Sequence, residues 1–159
     1  MRKILDTLSE VLQTSAGILF LFIFIINISG ILCRTFLNFS LLWVADVTYL
    51  ATAWMLAFGM SVAFYKKSHI AVEFIIERFP EKIKKIVQIF LFVITLTFLI
   101  NLIISGWQTA LMKRQIYFVV LNIPMAYAFM ALPIFALFST LFILYRIINI
   151  AVSYPKEEK

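Results

Sequence analysis

The sequence is poor in most of what a soluble enzyme uses. Its 159 residues hold one histidine and one cysteine, Cys33. A single cysteine excludes an internal disulfide framework and any multi-cysteine metal site. Only 14% of the residues are charged, where an ordinary soluble domain has about 25%. Four glycines and four prolines exclude a low-complexity chain, and 17 phenylalanines exclude a disordered one. What remains is 64% hydrophobic, a composition whose natural solvent is the lipid bilayer. The net charge of +6 does not point to nucleic acid, because no basic stripe with interleaved aromatics stands clear of the apolar runs. In a membrane chain, excess Lys and Arg reports orientation instead.

The charges cluster, which leaves four uncharged runs: Val11 to Cys33, Val47 to Tyr65, Ile86 to Met112 and Gln115 to Tyr145. At about 1.5 Å rise per residue even the shortest reaches roughly 28 Å, close to the ~30 Å hydrocarbon core. The fourth run is longer than one crossing needs, and Asn122 with Pro124 supplies a helix start inside it. The expected architecture is therefore all-α, a single membrane domain over 1–159, with spans at about 12–33, 46–65, 86–112 and 124–145. The first span opens on Arg2 and Lys3, as a signal peptide would, but it is too long and no small-x-small site follows it. A retained helix is expected.

Four crossings put both termini on one side. With the termini inside, the inner segments carry eleven basic residues and the outer segments three, Arg34, Lys113 and Arg114. That asymmetry predicts an N-in, C-in topology.

The stretch from Tyr65 to Lys85 holds the histidine and nine of the chain's 22 charged residues. Within it, His69, Glu73 and Glu77 recur at helical spacing, with Ile70, Val72, Phe74, Ile75, Ile76 and Phe79 around them. The expectation is a short amphipathic helix over 68–79 lying along the membrane surface in the inner loop. Pro80 stops it, and Glu81 to Lys85 restart a helix toward the third span. A histidine and two carboxylates on one face can ligate zinc. With no second histidine in the chain, a solvated polar stripe is the expected reading and no metal site is assigned.

An ionised side chain at the bilayer centre costs at least ~2.5–3.5 kcal/mol, so such residues usually have a task. The sequence places none at mid-depth. Arg34 ends the first span and Asp46 begins the second; either they pair across the hairpin or to a partner, or Arg34 snorkels and Asp46 caps its own helix. Asn27, Asn101 and Gln108 are expected to join helices through hydrogen bonds. Trp43 and Trp107 suit an interface, whereas Trp54 lies deeper and should pack on another helix. Gly59 and Gly106 permit close helix approach. No intramembrane acid marks the first span as a small proton-coupled exporter's would be marked, and no cysteine pair or Ser/His pair supports membrane redox chemistry or proteolysis. Such a chain looks like a subunit.

Taken in order, Arg34, "LLWVADVTYLATAWMLAFG" (Leu41 to Gly59), "KKSHIAVEF" (Lys66 to Phe74), "GWQTAL" (Gly106 to Leu111) and "LNIPMAYAFMALP" (Leu121 to Pro133) resemble the small membrane subunit, the DctQ-like family, of tripartite ATP-independent periplasmic (TRAP) transporters. The resemblance runs from about Leu12 to Arg146. It sets the family's acidic residue on Asp46, its tryptophan and glycine on Trp54 and Gly59, its histidine turn on His69, Ile70 and Val72, and its two late prolines on Pro124 and Pro133. Here Asp46 stands where glutamate is usual, and Phe135 where a glycine is common.

The resemblance implies a non-catalytic subunit that braces a large multi-span membrane subunit carrying the substrate and sodium sites, with no cofactor of its own. It also implies a periplasmic substrate-binding protein delivering an organic acid, a possible part in docking that protein, and the cytoplasmic (inner) membrane of a bacterium or archaeon. Glu73 joins the motif residues as a structural candidate. An independent, homo-oligomeric small transporter is the alternative, and a membrane enzyme using His69 a third class.

Overall fold

The computed structural model describes residues 2–67 and 81–153. The predicted surface helix over 68–79, and with it His69, Glu73 and Glu77, lies outside them. The helices are α1 (Arg2–Phe36), α2 (Trp43–Lys67), α3 (Glu81–Met112), α4 (Ala126–Phe129) and α5 (Ala131–Ser153). Among the described residues there is no strand, only a bridge between Tyr117 and Pro124. Four segments, Lys3–Phe36, Trp43–Lys66, Ile89–Gln115 and Ala126–Tyr145, are long and apolar enough to cross a membrane.

The first helix is longer than its uncharged run. At about 1.5 Å per residue its 35 residues reach roughly 52 Å. The added turns are held by packing: Leu5, Leu8 and Leu12 continue one helical face and meet Val62, Tyr65, Phe138 and Phe142. The third helix sets in at Glu81, directly after Pro80 in sequence.

The fourth crossing starts later than Pro124. Asn122 adopts a left-handed backbone (φ 53°), which asparagine tolerates better than most residues, and Pro124 sits in the bridge to Tyr117. The helix sets in at Ala126 and is interrupted at Met130. Pro133 explains the interruption: it has no N–H for the carbonyl of Phe129, and its ring crowds that carbonyl. In the first turn of α5 the missing N–H costs nothing, since that donor has no helical partner anyway.

The helices form a row: α1 packs on α2, α2 on α5, and α5 on α3. The middle of the row holds the main core, Ala57 from α2, Leu99 from α3, and Ala131, Phe135, Ala136 and Ile143 from α5. A second core of Leu12, Val62 and Phe142 lies at the end where the chain termini are, and there α1 also reaches α5. The opposite end carries the loop over 37–42 and the hairpin over 116–125; it is called the hairpin end below.

Candidate functional site

With four antiparallel crossings, the chemistry-bearing side chains collect at the hairpin end and along the seams between helices. Asp46 lies in the first turn of α2, the usual place for a carboxylate that caps its own helix. Instead its Oδ2 accepts hydrogen bonds from the backbone N–H groups of Val120 (2.8 Å) and Leu121 (3.2 Å). These N–H groups belong to the turn of the hairpin, which is closed by Phe118 N–H to Ile123 O (2.9 Å) and Met125 N–H to Ile116 O (2.8 Å). A carboxylate accepting two backbone donors is a charge-assisted clasp. Arg34, exposed in the last turn of α1, takes no part in it.

The clasp has a second point. Trp54 donates from Nε1 to the carbonyl of Tyr127 (3.1 Å) and stacks at a tilt on Phe58, with centroids 5.5 Å apart. Asp46 and Trp54, both on α2, thus hold the segment that leads into α5. Between this segment, α1 and α2 lies an open groove of about 900 Å³, lined by Leu19, Phe22, Leu50, Trp54 and Phe58 with Asn122 at its rim. Trp43 and Trp107 are exposed.

The seam between α3 and α5 depends on Gly106. A β-carbon there would lie 2.9 Å from Cδ and 3.2 Å from N of buried Pro133. Since real β-carbons do not approach that closely, only glycine lets α3 pass Pro133. Close helix approach was expected at Gly59 of α2 as well, but among the described residues a β-carbon there would meet nothing within 4 Å. Phe135, standing where the family often has glycine, is accommodated. It is buried in the core beside Ala57, Ala131 and Ala136, its ring edge-on to Phe64 at 5.7 Å.

The seam between α1 and α2 adds hydrogen bonds to its apolar packing. Asn27 donates to Thr48 Oγ1 (3.0 Å) and to its own helix at Ile23 O (2.8 Å). Gly30 faces Val44, to which a β-carbon would be in ordinary contact at 3.4 Å. At the other end of the pair, the Tyr65 hydroxyl donates to Asp6 and the Lys66 ammonium to Gln13. Sequence reasoning missed Asp6 because it opened the first span at residue 12, and it passed over Gln13 just inside that span. The Leu5, Leu8, Leu12 spacing was the signal that could have found them.

Asn101 and Gln108 behave differently from Asn27. Both are exposed on α3, and among the described residues the Asn101 side chain bonds only to Thr97 O of its own helix (2.8 Å).

Residues 23–152 match the family model described as "Tripartite ATP-independent periplasmic transporters, DctQ component". The chain is also similar to the "Sialic acid TRAP transporter permease protein SiaT" of Haemophilus influenzae (strain 86-028NP), 35% identical over 74 residues. That alignment covers 46% of this chain and only 12% of the relative.

Proposed function

The chain belongs to the DctQ component family of tripartite ATP-independent periplasmic transporters, a transporter component and not an enzyme, and from that premise we propose that it is the small membrane subunit of a sodium-coupled TRAP-type uptake system. In this reading it braces a large multi-span subunit that carries the substrate and sodium sites, and it has no cofactor of its own. A periplasmic binding protein delivers an organic acid. The relative named for sialic acid, itself an organic acid, supports that substrate class, though only a small part of it is aligned.

The family match across residues 23–152 carries this reading. The packing adds to it. A brace must not flex while its partner moves, and this chain is tied by close contacts from its middle to the hairpin end: the Gly106–Pro133 approach, the Trp54 bond and the Asp46 clasp. Interiors packed this tightly transmit strain rather than absorb it. The eleven-to-three distribution of basic residues supports a cytoplasmic position for both termini in the inner membrane, with the hairpin end periplasmic. The clasped hairpin, whose tip residue Val119 is 91% exposed, then stands where a periplasmic binding protein would dock.

The test is purification from native membranes through a tag on this chain. The expected result is a larger membrane subunit in the same complex, and substrate-driven sodium flux only when both are reconstituted with the binding protein. Flux from this chain alone in liposomes would overturn the reading in favour of an independent transporter.

A further inference from the structure

The two helices at the ends of the row present very different faces outward. On α1 the exposed side facing away from α2, with Thr14, Ile18, Leu21, Phe24, Ile25 and Leu32, is mostly apolar and carries no carboxamide. On α3, the side turned inward is settled by buried Leu99, Gly106 and Ala110. The side opposite them is Phe90, Ile94, Thr97, Asn101, Ile104, Gln108 and Leu111, all exposed. These seven alternate in steps of four and three along the helix, the spacing of a seam that packs on one neighbouring helix. From Phe90 to Leu111 the seam runs roughly 32 Å at the α-helical rise, about the thickness of the hydrocarbon core.

Lipid is a poor neighbour for that seam. Serine and threonine hydroxyls can be satisfied by their own helix, as Thr97 is by Val93 O (2.9 Å) and Ser29 on α1 by Ile25 O (2.9 Å). A carboxamide cannot, because it offers two N–H donors and a carbonyl acceptor. Asn27 on α1 spends both donors within the chain. Asn101 spends one, on Thr97 O, which leaves a donor and its carbonyl pointing outward near the middle of the span Ile89–Gln115. Hydrocarbon has nothing to offer them, and headgroups do not reach that depth. Gln108, also exposed, lies two turns further on at the equivalent step of the seam, nearer the hairpin end.

We propose that the Phe90–Leu111 face of α3 is the docking seam for a transmembrane helix of the large subunit, and that Asn101 and Gln108 set its register by hydrogen bonds to that helix. This rests on the functional reading above. A single polar residue in such a seam costs stability when misaligned and so selects partner and register. The large subunit is favoured over a second copy of this chain because the related permease is a single polypeptide in which the aligned stretch is 12% of the length. A piece of this kind therefore works there against a much larger remainder. The apolar face of α1 is left to lipid.

The experiment places a photoreactive benzophenone side chain at Ile104, or separately at Ile25, in the full transporter in native membranes. Ile104 is expected to give an adduct with the large subunit and Ile25 adducts with lipid only. In parallel, a double Asn101→Leu, Gln108→Leu variant should retain the thermal midpoint of the isolated chain and lose roughly three- to tenfold of the co-purifying large subunit. An intact complex in which Ile104 yields no protein adduct, or an adduct with a second copy of this chain, overturns the seam while leaving the subunit reading in place. So does an adduct with the large subunit from Ile25 alone. If the unmodified chain brings down no larger subunit at all, both the seam and the subunit reading fall.

Discussion

The row of helices is stitched by two unlike seams. Between α3 and α5 the contact is steric: backbone approaches ring at Gly106 and Pro133, and small side chains close around Phe135. Between α1 and α2 apolar packing around Leu12 and Val62 is joined by hydrogen bonds near the two ends, Tyr65 to Asp6, Lys66 to Gln13 and Asn27 to Thr48, with an open groove beside the middle. A steric seam has one geometry and no slack. A polar seam tolerates small shifts, because side chains can turn to keep their bonds. The difference teaches where one added methyl has no room, toward α3, and where polar partners add to apolar packing, toward α1.

The sharpest way to break the comparison is at Gly106. A Gly106→Val substitution adds atoms beyond a β-carbon that already has no room beside Pro133. The variant should lose about 3 kcal/mol, the upper end of overpacking costs, or fail to accumulate. Denaturant midpoints in detergent measure it. An unchanged midpoint would mean that α3 and α5 do not approach as closely as described.

Asp46 tests the clasp at the hairpin end. Removing its carboxylate in Asp46→Ala should cost about 1–2 kcal/mol, since bonds to a charged acceptor are strong but this site is partly wet. The amides of Val120 and Leu121 should exchange with solvent faster than in the parent chain, while those of the α3–α5 core do not change. Arg34→Ala should leave both readouts alone. Recovery of stability in an Arg34→Asp, Asp46→Arg double variant would instead show that the two charges pair.

A smaller effect belongs to the polar seam. In a double-mutant cycle of Asn27→Leu and Thr48→Val, the coupling should be about 0.6 kcal/mol, the average for hydrogen bonds between membrane helices. A coupling indistinguishable from zero would leave α1 held at the hairpin end by packing alone.

How much of this was legible beforehand follows from the kind of signal involved. The four crossings show in the sequence because charge is excluded from hydrocarbon, and the uncharged runs mark them without reference to anything distant. The fourth sets in at Ala126, two residues beyond Pro124, since Asn122 and Pro124 look like helix-start residues locally and only the pairing of 116–118 with 123–125 turns them into a hairpin. Asp46 was identified as important, but its partner was not. A carboxylate in a first turn looks the same whether it takes donors from its own helix or from a loop 74 residues away. The exposed carboxamides of α3 were read as helix joiners, and only the packing of Leu99, Gly106 and Ala110 shows that they lie on the side turned away from the other described helices.

Gly59 and Gly106 make the finest test of the two seams, because in sequence they are equivalent: each is a lone glycine in an apolar span. In the structure, one has a proline ring at contact distance and the other has open space. Alanine improves the helical backbone by roughly 0.5–1 kcal/mol relative to glycine wherever nothing opposes it. At Gly59 nothing among the described residues does, so Gly59→Ala should leave the thermal midpoint of the isolated subunit unchanged or slightly raised. At Gly106 the same single methyl must displace Pro133, so the gain is outweighed and the midpoint falls. Equal behaviour of the two alanine variants would contradict the steric reading of the α3–α5 seam. A fall at Gly59 alone would mean that α2 has a close neighbour on that side within the folded chain.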